Sequence, residues 1–342
     1  MRAALALMLV ACAAPPRGGV SHGEVVRGRL GAGAVELGFD GERIARVTAV
    51  APRADDGWLV PGLIDAHVHL AYWPVSDELA RHGIAAAVDL GAPGDAMATL
   101  QAARLPTIVA GPILTRPGGY PLDAWGADGF GVACPDRATV EAVVETIAAR
   151  GGRIIKLAIA DDGLDPELIP VAVAAAHAHK LKVAAHALGD RDARLAADAG
   201  VDLLAHTPVE RLSDATVAAW RGRAVVSTLA AFGGAPETVA NLRRLRAAGV
   251  TVLYGTDLGN RREAGPSAAE IELLGQAGLD GAAIVDAMTA APARWFGLDT
   301  LGAIAPGMTA SFVIVDGDPA QTPAVVARPR AVYLRGQRLA PE

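Results

Sequence analysis

The chain has 342 residues and a formal net charge of −6 at pH 7. That length allows one large catalytic domain and a small additional one, because an α/β barrel alone takes ~250 residues. The sequence has no basic stripe and no aromatic residues interleaved with basic ones, which argues against nucleic acid as a partner. It also has no run of ~18 charge-free apolar residues, so no membrane-spanning helix is predicted.

The first twelve residues have the order of a secretory signal, with Arg2 followed by the apolar run Ala3–Ala11. The end of this run, Leu9-Val10-Ala11-Cys12, resembles a bacterial lipobox, and the resemblance implies cleavage before Cys12 and a lipid on its sulfur. The alternative is an ordinary signal peptide with an incidental cysteine. We expect residues 1–12 to be a lipoprotein signal peptide, residues 13–23 to be a flexible tether, and the protein to be an exported, periplasm-facing lipoprotein of the bacterial cell envelope. The lipid anchor would be its one attachment to the membrane.

The two ends of the remaining chain share a β pattern. Glu24–Val50 alternates apolar and polar residues, and Ser311–Asp316 and Arg330–Leu339 alternate in the same way. We therefore expect residues 24–55 and 300–342 to form one small composite β-sandwich domain from both termini.

Residues 56–299 are predicted to form the catalytic domain. Short apolar or β-branched runs alternate there with Ala/Leu-rich segments of helical period, which indicates a parallel sheet covered by helices on both faces. The eight runs are Trp58–Leu70, Ile84–Leu90, Thr107–Leu114, Arg153–Ile159, Leu181–Ala187, Val201–Thr207, Ala224–Leu229 and Thr251–Asp257. Eight units favour an α/β fold of the closed (β/α)8 TIM barrel type, while the alternative, a doubly wound open sheet, needs fewer strands.

The first barrel strand is predicted to end in the motif Pro61-Gly62-Leu63-Ile64-Asp65-Ala66-His67-Val68-His69. Residues two apart in a strand face the same side, so His67 and His69 can present two imidazoles to one metal ion. The carboxyl ends of barrel strands form the catalytic face. The motif therefore predicts a metal site at this end of the barrel.

Later strands carry residues of matching chemistry. Lys156 lies in the fourth strand, His186 and His206 end the fifth and sixth strands, and Asp257 follows the eighth. A single histidine in an apolar strand is more often a core residue. The joint placement of these groups at one face of the barrel is what indicates a metal site.

These residues together resemble the amidohydrolase superfamily, most closely its imidazolonepropionase-like and prolidase-like branch. The resemblance rests on the P-G-L-I-D-A-H-V-H opening, Lys156, His186, His206, Gly255-Thr256-Asp257, and the tail segments Leu301–Met308 and Val313–Pro319. It covers essentially everything after the tether. It implies a metal-dependent amidohydrolase, built as a barrel with a composite β-sandwich.

The resemblance also implies a site for two divalent metal ions, expected to be Zn²⁺. The implied assignments are His67, His69 and Asp257 to one ion, His186 and His206 to the other, and carboxylated Lys156 between them. An unmodified lysine would repel the ions, whereas burial in an apolar strand lowers its pKa and frees the amine to react with carbon dioxide. One alternative stays open, in which Lys156 is neutral or ion-paired beside a single ion held by His67, His69, His186 and Asp257.

The expected reaction is the cleavage of an amide C–N bond in a small-molecule substrate by metal-activated hydroxide. The resemblance gives Asp257 a second role, in which it takes the proton from water and hands it to the leaving amine. A dipeptide, an N-acyl amino acid or a cyclic amide is the expected substrate, so the enzyme could be a dipeptidase. Two alternatives stay open: a lactone or ester hydrolase using the same site, and a catalytically silent binding lipoprotein.

Two residues after the third strand are candidates for substrate binding. Tyr120 stands where this branch often has histidine, and Arg116 could pair with a substrate carboxylate. Cys134 is interpreted as a spectator thiol because no partner base is apparent. The sequence gives no prediction of the oligomeric state.

Overall fold

The computed structural model describes residues 25–339. Cys12 and the tether predicted over residues 13–23 lie outside the described residues. None of the helices in the described part of the chain combines the length and the apolarity needed to cross a bilayer.

The strands of the described chain are short, and most lie within the apolar or alternating runs that the sequence analysis identifies. They are β1 (Val25–Leu30), β2 (Gly33–Asp40), β3 (Arg43–Val50), β4 (Trp58–Pro61), β5 (Leu63–Val68), β6 (Ile84–Asp89), β7 (Thr107–Val109), β8 (Ile113–Thr115), β9 (Gly131–Ala133), β10 (Ile154–Ala158), β11 (Lys182–His186), β12 (Leu203–Leu204), β13 (Ala224–Val226), β14 (Thr251–Leu253), β15 (Phe312–Val315), β16 (Ala331–Leu334) and β17 (Gln337–Leu339).

Helices connect most of the barrel strands. They are α1 (Ser76–Arg81), α2 (Met97–Gln101), α3 (Arg137–Ala149), α4 (Ile169–Ala178), α5 (Asp190–Asp198), α6 (Asp214–Ala219), α7 (Pro236–Ala247), α8 (Ala268–Gln276), α9 (Gly281–Met288) and α10 (Ala290–Phe296), with 3-10 turns at Pro166–Leu168, Ala230–Phe232 and Pro323–Ala327. Four of the α-helices begin where an aspartate or serine side chain accepts a hydrogen bond from a backbone N–H of the first turn, a local signal that fixes the start of a helix. These N-caps are Asp136, Ser213, Ser267 and Asp280.

Neighbouring barrel strands pair in parallel. Strands β5, β6 and β7 form one hydrogen-bonded sheet, and β8 and β10 to β14 belong to the other. Backbone hydrogen bonds join the first strand to the segment after the last. Ala66 N–H donates to the Tyr254 carbonyl at 2.9 Å, and His69 N–H donates to the Leu258 carbonyl at 2.7 Å. The seam between β5 and the chain beyond β14 therefore brings the first and last predicted metal ligands side by side.

Two of the predicted strands are each divided in the structure. The run Trp58–Leu70 separates into β4 and β5, and β4 pairs with β15 and β1 in the terminal sheet. The barrel strand therefore starts at Leu63, later than the predicted strand start at Trp58. The run Thr107–Leu114 is interrupted at Gly111-Pro112, because Gly111 has a φ of +71° and proline has no N–H for the ladder.

The terminal segments form one sheet in the order β17-β16-β15-β4-β1-β2-β3. Phe39 of β2 and Phe312 of β15 are three strands apart in this order, yet their ring centroids are 5.7 Å apart. A flat sheet would separate such strands by ~14 Å. The sheet therefore curls onto itself around an apolar core, as expected for a composite β-sandwich, and the predicted fold class is confirmed.

The barrel interior is filled by small and branched apolar residues from alternate strand positions. Ile154 of β10 and Ala184 of β11 belong to this inner cluster. Residues two further along a strand face the same side. Lys156 and His186 are therefore presented to the barrel axis, close to the carboxyl ends of their strands.

Candidate metal centre

Three ligand atoms meet where the first and last barrel strands adjoin. His67 Nε2 lies 3.3 Å from His69 Nε2, and Asp257 Oδ1 lies 3.4 Å from the first and 3.2 Å from the second. All three side chains are buried. Among the described residues they form the one cluster of three or more histidine, cysteine or carboxylate groups whose ligand atoms lie within 4.8 Å of one another.

The tautomer of His67 is set by its second ring nitrogen. Nδ1–H donates to the Ala205 carbonyl at 2.8 Å, and because a carbonyl oxygen can only accept, the proton is on Nδ1. The Nε2 lone pair is then free to bind a cation. Burial lowers the pKa of His67 well below its usual value, so the ring is neutral. A neutral imidazole with a fixed tautomer is the form that ligates metals.

Two buried carboxylates hold the backbone around this trio. Asp65 accepts hydrogen bonds from the Thr256 hydroxyl at 2.6 Å and from the backbone N–H groups of Thr256 and His67 at 3.1 Å. Asp89 accepts from the N–H groups of Leu70 and Gly91 at 2.7 and 3.0 Å. Asp65 therefore ties the first strand to the eighth, and Asp89 fixes the turn that follows His69.

The approach of the last strand to the first requires two glycines and one unusual backbone conformation. A Cβ on Gly255 would lie 2.3 Å from a methyl of Val226, and a Cβ on Gly259 would lie 2.8 Å from the Cβ of His69. Asp257 itself has a φ of +57°, in the left-handed region that non-glycine residues rarely adopt. This backbone turns the Asp257 carboxylate towards the two histidines.

The two other predicted histidine ligands lie beside this trio. The His206 ring centroid is 4.6 Å from that of His67 and 5.1 Å from that of His186. The Thr228 hydroxyl lies 3.2 Å from His206 Nδ1 and fixes the orientation of that ring. Burial lowers the pKa of His186 to about 3 and that of His206 well below its usual value.

Lys156 lies on the floor of the same space and is 2% exposed. Burial lowers the pKa of its amine to about 7, and the Asp257 carboxylate opposes that shift. Burial also opposes ionisation of Asp257, but the hydrogen bond from His69 and the other polar groups that face the carboxylate favour the ionised form more, so the pKa of Asp257 falls well below its usual range. At neutral pH the site therefore holds an ionised aspartate and an amine that readily loses its proton.

The residues of the seam fit a divalent metal ion. Nitrogen and oxygen ligands at ~2.0–2.1 Å from a tetrahedral zinc ion are ~3.3 Å apart, and the three separations here run from 3.2 to 3.4 Å. Two imidazoles and one carboxylate are a donor set that zinc accepts. In addition, His69 Nδ1 is buried without a hydrogen-bond partner among the described residues, while its Nε2 faces His67 and Asp257.

A cavity of about 280 Å³ opens over these groups. Its described lining residues are His69, Ile113, Tyr120, Trp125, Lys156, His186, His206, Ala231, Phe232, Asp257 and Asn260. Tyr120, a predicted substrate-binding residue, lies in the wall and packs on His186 at a centroid distance of 4.7 Å. Arg116 is not among the lining residues, so its pairing with a substrate carboxylate stays a prediction.

The amidohydrolase family model matches residues 58–339, which includes every residue of this site. The chain belongs to the amidohydrolase family. This amidohydrolase is therefore a metal-dependent hydrolase that acts on carbon–nitrogen bonds, and the family predicted from the motifs is confirmed. The cluster of His67, His69 and Asp257 is the candidate site for that metal.

Relatives of known sequence do not identify the substrate of this amidohydrolase. Uncharacterized proteins of Mycobacterium bovis and Mycobacterium tuberculosis are each 29% identical over 333 residues, covering 84% of this chain and 86% of the relative. Among solved structures, a Xaa-Pro dipeptidase with bound methionine has a TM-score of 0.75 at 19% identity and covers 90% of this chain and 95% of its own. A putative prolidase from Bifidobacterium longum has a TM-score of 0.75 at 22% identity, with coverages of 90% and 89%.

A third solved structure, a prolidase complexed with N-methylphosphonate-L-proline, has a TM-score of 0.71 at 22% identity and covers 89% of this chain and 94% of its own. These structures have the fold of this amidohydrolase, a barrel with a β domain built from the termini. At such identities the likeness is one of fold.

The structure brings together all six side chains predicted as metal ligands or acid–base groups and adds three that the motifs did not reveal. Asn260 lies three residues beyond Asp257, and its amide contacts both carboxylate oxygens at 3.1 Å. Trp125 and Phe232 pack against His69 and His206 at centroid distances of 5.1 and 4.9 Å. Asn260 could have been suspected because it lies only three residues beyond Asp257 in the sequence. Trp125 and Phe232 lie in segments between strands that carry no motif.

Proposed function

We propose that this amidohydrolase cleaves the amide bond of a small organic molecule bound in the cavity over Asp257. The observation that carries the proposal is the convergence of the His67 and His69 imidazoles, the Asp257 carboxylate and the buried Lys156 amine at the floor of one cavity. The volume of about 280 Å³ lies just below the ~300–1,000 Å³ range of sites for drug-sized ligands. The size therefore favours a substrate of dipeptide scale or smaller.

Two Zn²⁺ ions are the proposed cofactor. His67, His69 and Asp257 would hold one ion, and His186 and His206 would hold the second, because the second pair lies beside the first trio but outside it. When bound, such ions lower the pKa of water and polarise a carbonyl oxygen. A single ion beside an unmodified Lys156 is the alternative that metal counting distinguishes.

Lys156 is proposed to carry carbon dioxide as a carbamate. The lysine nitrogen forms a bond to the carbon of carbon dioxide and loses one proton, which leaves an anion with two oxygens. Burial of Lys156 supports this reaction, because a pKa of about 7 makes the neutral amine available at physiological pH. The carbamate would also supply negative charge between two ions, where an ammonium group would be repelled.

Asp257 is proposed to move the proton during hydrolysis. Its Oδ1 faces the two histidines, and both of its oxygens accept from the Asn260 amide. The carboxylate takes a proton from the attacking water and gives it to the leaving nitrogen as the C–N bond breaks. Tyr120 is in the wall above this group and is proposed to contact the substrate.

Dipeptides, N-acyl amino acids and cyclic amides are the candidate substrates, and the dipeptidase and prolidases of similar fold favour an amide over an ester. A hydrolysis screen of the zinc-loaded protein against these three classes, lactones and phosphotriesters tests the proposal. We expect release of an amine from at least one amide, and none from protein stripped of metal with a chelator. Turnover restricted to lactones or phosphotriesters, or no turnover at all, would contradict it.

Export as a lipoprotein is a separate proposal. It is supported by the sequence Leu9-Val10-Ala11-Cys12, which lies outside the described residues. A lipid on Cys12 and a tether over residues 13–23 would place the catalytic domain on the periplasmic side of a bacterial membrane.

A further inference from the structure

Three aromatic rings form the wall of the cavity, each packed against a different histidine of the site. Trp125 lies on His69 at a centroid distance of 5.1 Å, and Tyr120 lies on His186 at 4.7 Å. Phe232 lies on His206 at 4.9 Å. We call Tyr120, Trp125 and Phe232 the aromatic collar. A substrate bound in the cavity would therefore contact these rings.

The loop that carries Trp125 is held by further aromatic contacts. Trp125 packs on Tyr72 and Phe130 at centroid distances of 5.9 and 5.8 Å. Its indole N–H lies 3.4 Å from the Tyr120 hydroxyl oxygen, which accepts it. Because that oxygen serves as the acceptor, the Tyr120 proton remains available to donate to an uncharged carbonyl in the cavity.

Phe232 is held from the opposite side of the cavity by a buried carboxylate. Glu270 accepts hydrogen bonds from the backbone N–H groups of Leu229 and Ala230 at 3.0 and 2.7 Å, at the start of the 3-10 turn that ends in Phe232. Glu270 is fully buried. The collar is therefore a preformed apolar surface on both sides of the site.

The charges of the cavity do not match a substrate carboxylate. The described lining residues include no arginine, and their one lysine is Lys156 on the floor. Just outside the cavity, Arg261 is engaged by the Ala230 carbonyl at 3.2 Å and by Glu263 at 3.4 Å. The guanidinium of Arg262 lies 4.4 Å from the ring centroid of Trp73. A carboxylate held between the collar rings, away from the ions proposed for the floor, would lose its solvation with no cationic side chain among the described lining residues once Lys156 is carboxylated, which is costly.

We propose that the site selects amides that carry an aromatic or branched apolar group and no free carboxylate. This inference rests on the proposed function, with Lys156 carboxylated rather than cationic. Of the three substrate classes named above, it retains cyclic amides, adds blocked open-chain amides, and disfavours free dipeptides and N-acyl amino acids. The reaction consumes one water: the C–N bond breaks, a C–O bond forms, and the amine leaves with the proton delivered by Asp257.

A matched pair of substrates that differ by one carboxylate tests the selectivity. The pair is N-acetyl-2-phenylethylamine and N-acetyl-L-phenylalanine, assayed with the zinc-loaded full chain for kcat/KM and by calorimetric titration for Kd. We expect kcat/KM and affinity to be at least about 10-fold higher for the neutral amide, because an unpaired carboxylate loses its solvation between the rings.

A second comparison tests the aromatic collar itself. Phe232→Leu keeps an apolar side chain but removes the ring, and should weaken binding of the neutral amide by about 3-fold to 10-fold. Phe39→Leu, the same change in the terminal β-sandwich, is the matched control and should leave that binding at the wild-type value.

The outcomes separate the selectivity from the proposed function. Tighter binding of the neutral amide than of the acid, without turnover of either compound, would sustain the selectivity, whereas amide hydrolysis would be contradicted only if no amide in the hydrolysis screen were cleaved. Equal or tighter binding of the acid, equal or faster turnover of the acid, or no binding of either compound would overturn the selectivity. Turnover of the acid would at the same time support amide hydrolysis.

Discussion

The side-chain amide of Asn260 donates to both carboxylate oxygens of Asp257, at 3.1 Å each. Asp257 also faces His67 and His69, so its carboxylate is held from two directions. The left-handed backbone at Asp257 and the turn to Asn260, whose N–H donates to the Asp257 carbonyl at 3.2 Å, bring this pair together. Asn260 is therefore a positioning residue for the group proposed to move the proton.

Asn260→Ala should lower kcat by about 10-fold. A hydrogen bond to a charged group contributes about 1.5–3 kcal/mol, and part of that is recovered when water takes the vacated place. Asp257→Asn gives the largest fall in kcat expected in the same assay, since loss of an acid–base group lowers the rate by ~10²–10⁴. The control is Gln276→Ala on the surface of α8, which removes an amide far from the cavity. An Asn260→Ala protein with wild-type kcat would refute the positioning role.

Lys156→Ala should reduce bound zinc from two equivalents per chain to one or none, because it removes the proposed bridging anion. Short carboxylic acids such as acetate or propionate should restore part of the activity by occupying the vacated position. Lys182→Ala is the matched control, since Lys182 lies over the Trp295 ring at the start of β11, away from the catalytic face. Metal content is measured by elemental analysis. One equivalent in both wild type and Lys156→Ala would rule out the bridged pair of ions.

Cys134 should react slowly with iodoacetamide while the protein is folded. The thiol is buried, and burial raises its pKa to about 12, so its thiolate fraction at pH 8 is roughly 10³-fold below that of an unfolded cysteine. The folded state retains this proton between about pH 9 and 12 while the unfolded state releases it, so Cys134 lowers the free energy of unfolding as pH rises through that window. Labelling is followed by mass spectrometry in a Cys12→Ser background, with denatured protein as the reference. Rapid labelling of the folded protein at pH 8 would show that the spectator assignment is wrong.

Cys12→Ser should abolish incorporation of a labelled fatty acid when the full chain is expressed in a bacterial host. The wild-type protein should fractionate with membranes, and the variant should not, because a single thiol is the proposed site of lipid attachment. Acyl label that persists in Cys12→Ser would place the modification on another residue, and a wild-type protein without label would exclude lipidation.

Much of the site follows from strand periodicity alone. His67 and His69 are two apart in one strand, and Lys156 and His186 are each two residues beyond an inward-facing apolar residue. Because parallel barrel strands end at one face, their spacing in the sequence is enough to predict that they meet. The fold class is predictable for the same reason, since eight apolar runs alternate with helical segments.

The rest depends on contacts between distant parts of the chain. The sequence predicts that Trp58–Pro61 is the start of a barrel strand. In the structure this segment pairs with β15, which begins about 250 residues later, and so it belongs to the terminal sheet. Trp125 and Phe232 belong to loops whose course is set by packing on Phe130 and by Glu270. Trp125 and Phe232, which line the cavity, therefore escape a motif-based analysis, whereas Tyr120 and the candidate metal ligands do not.

The most direct test of metal-dependent amide hydrolysis is a titration of zinc into metal-free protein, with bound zinc and amide cleavage measured in the same samples. Each amide substrate found in the screen can serve as the reporter. The proposed site predicts no cleavage without zinc, a rise in rate as zinc binds, and a plateau at two equivalents per chain. Amide cleavage by the metal-free protein at the rate of the zinc-loaded protein would contradict it.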